Sequence, residues 1–338
     1  MSPNAINESL SLPLVDTFDR PHDYLRISVT DRCNLRCLYC MPENPEWFDR
    51  AEILSFEEIV RFTRVAVSLG VKKVRLTGGE PLLRRGVVTL VELLAGIEGL
   101  KDLALTTNGI LLAKLAEPLR QAGLRRLNIS LDSLRPDRFH RLTRRDAFHQ
   151  VQEGIEAAAL AGFQPIKINV VIMKDVNVDE AIDFALLTRT HPFHVRFLEF
   201  MPLDGQDRWR REEVVTGAEV LARIREAGEL EPVPTDDPSE VARRWRFEDG
   251  RSEVGFINPV SEPFCGTCSR IRITTDGMLK NCLLGNDEFD VKRVLRTGGS
   301  DAELANLLRL AVHMRAEHHG INKPDFEKTE RNMSRIGG

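Results

Sequence analysis

The chain has 338 residues, 42% of them apolar and 29% charged, and 47 Lys and Arg against 51 Asp and Glu leave a formal net charge of −4. This composition excludes a disordered, collagen-like or membrane-spanning chain, and no apolar run approaches the roughly 20 residues of a membrane helix. Charge so near zero argues against coating nucleic acid by bulk electrostatics. The N-terminus lacks a basic start followed by an apolar core, so a cytoplasmic location is expected.

Between 24 and 200 short apolar strands alternate with helical patterns. Strands are predicted at 25–30, 73–77, 103–106, 127–131, 166–172 and 195–200. Val, Ile and Leu dominate them, which predicts burial on both faces. Ser55-Phe56-Glu57-Glu58 is a capping box opening a helix towards Gly70. Helices are also predicted at 147–160 and 178–189, and Pro118 is expected to kink or split the helix over 111–122. Six β/α units predict a parallel sheet with right-handed crossovers. They are too few for a complete eight-stranded barrel, so an open, partial one is expected.

Polar chemistry follows each strand: DRCNLRCLYC, then GGEP, TNG, Ser130 with Asp132, and EFMP, while Lys167 and Asn169 lie inside the fifth strand. Active sites of α/β barrels lie at the C-terminal ends of the strands, so these groups aim at one mouth. Lys167 within an apolar run is hard to explain as structure, since a buried charge needs a partner.

Beyond Pro202 the pattern changes. A helix begins at the capping box Thr216-Gly217-Ala218-Glu219, and 234–239 reads as an exposed loop. Strands are predicted at 244–247 and 254–257 around Asp249-Gly250, and at 271–275 and 278–282 around Asp276-Gly277. A last helix starts at Ser300 and runs towards His319. The tail after Gly320 is polar, with no apolar stripe to dock as a helix.

The cysteines are 33, 37, 40, 265, 268 and 282, two sets of three more than two hundred residues apart. A disulfide framework favours even clusters in a secreted chain, so the triplets read as metal sites. Soft thiolates select zinc, copper(I) or iron–sulfur clusters. Cys33, Cys37 and Cys40 have no fourth Cys or His nearby to close a zinc site. Three thiolates on a four-iron cluster leave one iron open to a small molecule. Cys265, Cys268 and Cys282 read either as a zinc knuckle with a distant fourth ligand or as a second three-thiol cluster. Arg270 and Arg272 between them share one strand face, and paired guanidiniums suit a polyanion.

DRCNLRCLYC, with Tyr39 before its last cysteine, and Gly78-Gly79-Glu80-Pro81 after the second strand resemble the signature of the radical S-adenosylmethionine superfamily. The second triplet with Arg270-Ile271-Arg272, the barrel motifs and the terminal Gly337-Gly338 resemble the GTP 3′,8-cyclase family of molybdenum cofactor biosynthesis, from about Arg20 to Gly338. The resemblance implies an α/β fold, a partial (β/α)6 radical S-adenosylmethionine barrel with a C-terminal α+β extension carrying a second iron–sulfur cluster. It implies a flexible segment over 1–20, the barrel over 21–205, a closing domain over 206–320 and a tail over 321–338.

The implied cofactors are two [4Fe-4S] clusters, on Cys33, Cys37 and Cys40 and on Cys265, Cys268 and Cys282, and S-adenosylmethionine. The implied reaction cyclises GTP to 3′,8-cyclo-7,8-dihydro-GTP after a 5′-deoxyadenosyl radical abstracts H3′. An external one-electron donor, transfer of product to cyclic pyranopterin monophosphate synthase and a possible homodimer are implied partners; membrane and nucleic acid are not. Position by position, the resemblance assigns Tyr39, Gly79, Ser130 and Met201 to S-adenosylmethionine. It assigns Arg26, Arg75, Thr106, Lys167, Arg270, Ile271 and Arg272 to GTP, and Gly337 and Gly338 to the radical chemistry. The rival readings are another radical enzyme with auxiliary clusters, such as a peptide-maturing one, and a non-catalytic iron–sulfur or zinc protein on nucleic acid. The first usually carries more C-terminal cysteines, and the second predicts excess basic charge.

Overall fold

Six strands, Tyr24–Ser28 (β1), Lys73–Thr77 (β2), Asp102–Thr107 (β3), Arg126–Ser130 (β4), Ile166–Ile172 (β5) and Phe193–Glu199 (β6), pair in parallel in chain order. The structure is a computed structural model and describes residues 13–203, 209–235 and 237–337. Helices Phe56–Ser68 (α1), Val87–Ala95 (α2), Leu112–Gln121 (α3), Pro136–Thr143 (α4), Phe148–Leu160 (α5) and Ala181–Thr190 (α6) lie between and after them. The Ser55–Glu58 capping box forms as expected, and Gly70 takes a positive φ just past α1. Ile59, Phe62, Val65 and Ala66 of α1 are buried against Leu25, Ile27, Val74 and Leu76. Each larger side chain so buried contributes about 1.5–3 kcal/mol.

Along each strand the side chains alternate. On β5 Ile166, Ile168, Val170 and Ile172 are buried, whereas Lys167 and Asn169 are only half-buried on the opposite face. The expectation of burial on both faces is thereby corrected: only the outer face enters the apolar core, and the inner face lines a polar cavity. Pro118 does not split its helix either, because α3 runs through it unbroken. Its missing N–H frees one carbonyl, while burial of Leu112, Ala116 and Leu119 holds the segment.

The remaining elements are Gly217–Ile224 (α7), Leu230–Val233 (β7), Arg243–Phe247 (β8), Val254–Ile257 (β9), Arg270–Ile273 (β10), Met278–Lys280 (β11), Phe289–Asp290 (β12), Val291–Arg296 (α8), Asp301–His313 (α9) and Met333–Ile336 (α10). They do not form a separate body. β10 adds in parallel to β1 and β9 adds in parallel to β6, giving the order β12-β11-β10-β1-β2-β3-β4-β5-β6-β9-β8-β7. The sheet remains open at β12 and β7, and the predicted barrel is widened by one parallel strand at each edge. Leu14, Leu25, Val254, Ile271 and Leu308 belong to one apolar core, so no structural boundary falls near 205.

Two expectations about the ends are also corrected. The segment 13–20 is docked rather than flexible, and residues 1–12 lie outside the described residues. Leu14 is buried, and Arg20 pairs with Asp16 and donates to the carbonyls of Cys265, Ala316 and Glu317. At the other end the tail does dock a helix, α10. Its Met333 and Ile336, three apart and so on one side, pack into a small apolar cluster with Leu142, Phe200 and Leu203.

Candidate functional site

The inner face of β1 to β6, with β10 and the loops around it, encloses a cavity of about 320 Å³. Its wall is strongly cationic. Arg272 on β10 stands opposite Arg26 on β1, which stands opposite Arg75 on β2. Thr106, Asn128 and Lys167 continue across β3, β4 and β5 in register, and Arg196 faces Asn169 from β6. All these residues line the cavity. Like charges directly opposite on neighbouring strands are destabilising, so the arrangement is costly unless an anion lies between them.

Burial and mutual repulsion bear on the charge of each of these groups. Burial pulls Lys167 down to about 7, with Arg196, Arg126 and Arg75 adding to the effect. Burial also brings Arg196 to about 9, with Arg75 adding, and Arg26 to about 10, with Arg270 adding. Burial alone would raise the Tyr24 phenol, but Arg75 and Arg26 outweigh it and bring the group to about 8. Arg75 donates from Nε to the Tyr24 hydroxyl and from Nη1 to Thr106 Oγ1 at 3.2 Å. Among the described residues, Arg26 Nε is buried with no hydrogen-bond partner. The acidic side chains lining the cavity among the described residues are Asp237 and Glu240, of which Asp237 pairs with Lys73 at 2.6 Å.

Cys265, Cys268 and Cys282 line one side of the same cavity. Arg270 Nε and Nη2 lie 3.3 and 3.2 Å from Cys268 Sγ. Burial would raise the Cys268 thiol, but Arg270 and Arg315 outweigh it and lower the thiol to about 6. Arg272, 3% exposed, donates from Nη1 to the Gly337 carbonyl at 2.6 Å. The Arg270-Arg272 pair is therefore engaged by a thiol and by the tail. Ile271, assigned to GTP with its two neighbours, has its side chain buried in the apolar core opposite Leu25.

Cys33, Cys37 and Cys40 lie on the loop after β1. Arg36 Nη1 ties that loop to the Cys33 and Leu35 carbonyls. Burial pushes the Cys33 thiol up to about 11, with Glu80 adding, and raises Cys37 and Cys40 as well. The Gly78-Gly79-Glu80 loop stacks directly on this one: Gly79 N donates to Thr30 O at 2.7 Å and Glu80 N to Arg32 O at 2.8 Å. A Cβ at Gly79 would stand 2.4 Å from Asp31 O and 2.5 Å from Arg32 O. Glu80 is buried and accepts from Leu82 N, Thr107 Oγ1 and Asn108 N.

Tyr39, Gly79 and Ser130 do not line the cavity; they lie at the strand ends around the cysteine loop. Tyr39 donates to Asp132 at 2.5 Å, and Ser130 stands opposite Asn169. Met201 does line it. Gly337 reaches the ends of β1 and β2 with φ of 88°, where a Cβ would stand 2.6 Å from Thr77 Oγ1 and 2.7 Å from Ser28 Cβ. Gly338 lies outside the described residues.

The sequence overlooked Lys73, Arg126, Arg196 and Arg315, all of which line the cavity. Arg196 was within reach: in FHVRFLE it alternates with buried Val195 and Phe197, as Lys167 does in β5.

The sequence matches the radical SAM superfamily over residues 27–188 and the molybdenum cofactor synthesis C family over 193–321. It is 46% identical over 328 residues to the GTP 3′,8-cyclase of Geobacter sulfurreducens, covering 97% of this chain and 100% of that one. The chain belongs to the GTP 3′,8-cyclase family. The corresponding protein of Streptomyces coelicolor is 45% identical over 96% of each chain. Molybdenum cofactor biosynthesis protein 1 of mouse is 47% identical over 90% of this chain and 48% of that longer protein. SuiB of Streptococcus suis, at 16% identity, shares the fold, with a TM-score of 0.62 over 95% of this chain and 76% of that one. The family brings one [4Fe-4S] cluster and S-adenosylmethionine. The residues present fit the cluster: Cys33, Cys37 and Cys40 are three free thiols on one loop, and Gly79 packs the following loop directly onto it. No helix among the described residues is long and apolar enough to cross a membrane.

Proposed function

We propose that this enzyme holds GTP in the cationic cavity and joins C3′ of its ribose to C8 of its guanine, the first step of molybdenum cofactor biosynthesis. The observation that supports this reading best is the in-register row Arg272, Arg26 and Arg75, continued by Lys167 and Arg196, in a cavity that three cysteines also line. A triphosphate is an anion of the size and charge that such a row needs, and Arg pairs phosphate oxygens bidentately. The sequence has no G-x-x-x-x-G-K-[ST] loop, so side chains hold the phosphates.

When bound at Cys33, Cys37 and Cys40, the cluster with S-adenosylmethionine supplies a 5′-deoxyadenosyl radical able to remove H3′. The chain positions the ribose for it. Arg26, Arg75, Arg272 and Lys167 anchor the phosphates, and Thr106 orients Arg75. Tyr39, Gly79, Ser130 and Met201 surround S-adenosylmethionine, and Gly337, at the ends of β1 and β2, helps shield the mouth from water, which a carbon radical requires. Cys265, Cys268 and Cys282, which line the same cavity, would hold a second [4Fe-4S] cluster on the substrate side. Completing the ring closure takes one electron and one proton, so an external one-electron donor belongs to this reading. So do delivery of product to cyclic pyranopterin monophosphate synthase, a cytoplasmic location and a possible homodimer. GTP deuterated at C3′ tests the reaction. Deuterium is expected in 5′-deoxyadenosine; its complete retention in the nucleotide product overturns the reading.

A further inference from the structure

The tail is fastened at two places to one hairpin. Arg331 lies six residues before Gly337. Its Nη1 and Nη2 meet Asp276 Oδ1 and Oδ2 at 2.9 and 3.0 Å, and its Nε and Nη2 meet Glu288 Oε1 and Oε2 at 2.5 and 2.8 Å. Asp276 sits in the turn between β10 and β11, and Glu288 just before β12. Asp276 also accepts from Thr274 Oγ1 at 2.6 Å, and Glu288 also pairs with Lys280, itself 1% exposed. One guanidinium thus satisfies two carboxylates through both of its edges, in a partly buried setting where such bonds hold geometry well. β10 carries Arg272, which donates to the Gly337 carbonyl.

Between these two fastenings every residue is in use. Asn332 caps α10, Met333 N donates to Leu203 O at 2.9 Å, Arg335 Nη2 reaches Glu46 O at 3.0 Å, and Ile336 is 1% exposed. A turn of four residues is too short to be stable alone, so its place depends on what holds its ends.

We propose that Arg331 is a positioning residue for the reaction: through Asp276 and Glu288 it fixes the last turn so that Gly337 is held at the ends of β1 and β2. Asp276 belongs to the hairpin that carries Arg272 and leads into Cys282, and Glu288 leads into β12, which pairs with β11 of that hairpin. The clasp therefore ties the tail's reach to the wall of the nucleotide cavity. The inference rests on the reading of the tail given above, and its test separates the two.

The full-length holoenzyme is reconstituted anaerobically as wild type, Arg331→Ala, Arg331→Lys and Glu288→Gln. Amide hydrogen exchange is followed over 333–337 and over β1 to β6, beside GTP affinity and formation of cyclised nucleotide and 5′-deoxyadenosine. In Arg331→Ala, exchange at 333–337 is expected to quicken at least tenfold with β1 to β6 unchanged. Cyclised nucleotide is expected to fall about tenfold or more, with GTP affinity within twofold and 5′-deoxyadenosine still formed. Arg331→Lys, which keeps the charge but loses the fork, and Glu288→Gln are expected to fall between. Unchanged exchange at 333–337, or quickened exchange throughout the barrel, overturns the positioning role. A loosened tail with full cyclisation also overturns it, and places the failure in the role given to the tail.

Discussion

Arg26 and Arg75 face each other across adjacent parallel strands, and the Tyr24 ring lies within cation–π reach of both, at 5.8 and 5.7 Å. Two guanidiniums in register repel, and the fold keeps them beside an aromatic ring rather than a carboxylate. Arg26→Met should therefore stabilise the nucleotide-free protein by about 1 kcal/mol in denaturant unfolding. The same variant should lose about 1.5–3 kcal/mol of GTP binding, roughly 10- to 150-fold in calorimetry. Unchanged GTP affinity would remove Arg26 from the site.

Lys167 gives the site a pH dependence. Its folded pKa of about 7 lies below its ordinary 10.5. Between those values the unfolded chain holds the proton that the folded chain has lost, so Lys167 makes stability rise with pH from about 7 to 10.5. Nucleotide binding runs the other way, because a triphosphate favours the charged amine. GTP affinity should fall by roughly tenfold or more from pH 7 to pH 9, with proton uptake on binding detectable in buffers of different ionisation enthalpy. Tyr24, at about 8, becomes anionic in the same range and acts in the same direction. Lys167→Met should flatten the affinity profile and abolish most of the uptake; a profile identical to wild type would exclude Lys167 from the phosphates.

Changing Cys265, Cys268 and Cys282 together to Ala should remove about half the iron and spare slow cleavage of S-adenosylmethionine without substrate. Full iron content in that variant would rule out the second cluster, and zinc in the wild-type protein would favour the knuckle. Arg270→Ala should also weaken iron retention there, since Arg270 is the guanidinium at Cys268 Sγ.

Gly79→Ala places a methyl against the carbonyls of Asp31 and Arg32. Both belong to backbone that leads straight into Cys33, so the loop must shift. The expected result is loss of stability on the order of 1–3 kcal/mol and selective loss of iron from the first cluster. Normal iron and normal melting would show that the two loops part easily.

Deleting Gly337 and Gly338 takes the carbonyl acceptor from Arg272. GTP binding and iron content should survive, and cyclised nucleotide should disappear. Full turnover by the shortened protein would make the tail dispensable.

Much of this site was legible because its chemistry is local in the chain. The cysteine spacing, the GGEP turn and a lysine inside an apolar strand each announce themselves within ten residues. What the sequence concealed depends on distant pairing. The shared face of Arg270 and Arg272 was legible, but nothing near them indicates that β10 adds to β1 and so brings that face beside Arg26. The assumption that apolar strands are buried on both faces hid Arg196, which an inward-facing reading of β6 exposes. The tail appeared unanchored because its fastenings are a lone arginine and two apolar residues of one helical turn, too short a pattern to register as a periodic stripe.

The pairing of Tyr24 with Arg270 also bears on how the protein is made. The strand that covers the outer edge of β1 leaves the ribosome about 250 residues after it. At about 5–20 residues per second, that edge waits roughly 12–50 s without its neighbour. An uncovered strand is a template for association with other chains. Shortened products that stop before β10 are therefore expected to accumulate as aggregates instead of a trimmed enzyme, and the yield of native protein should depend on factors that hold the nascent chain apart until its C-terminal third arrives.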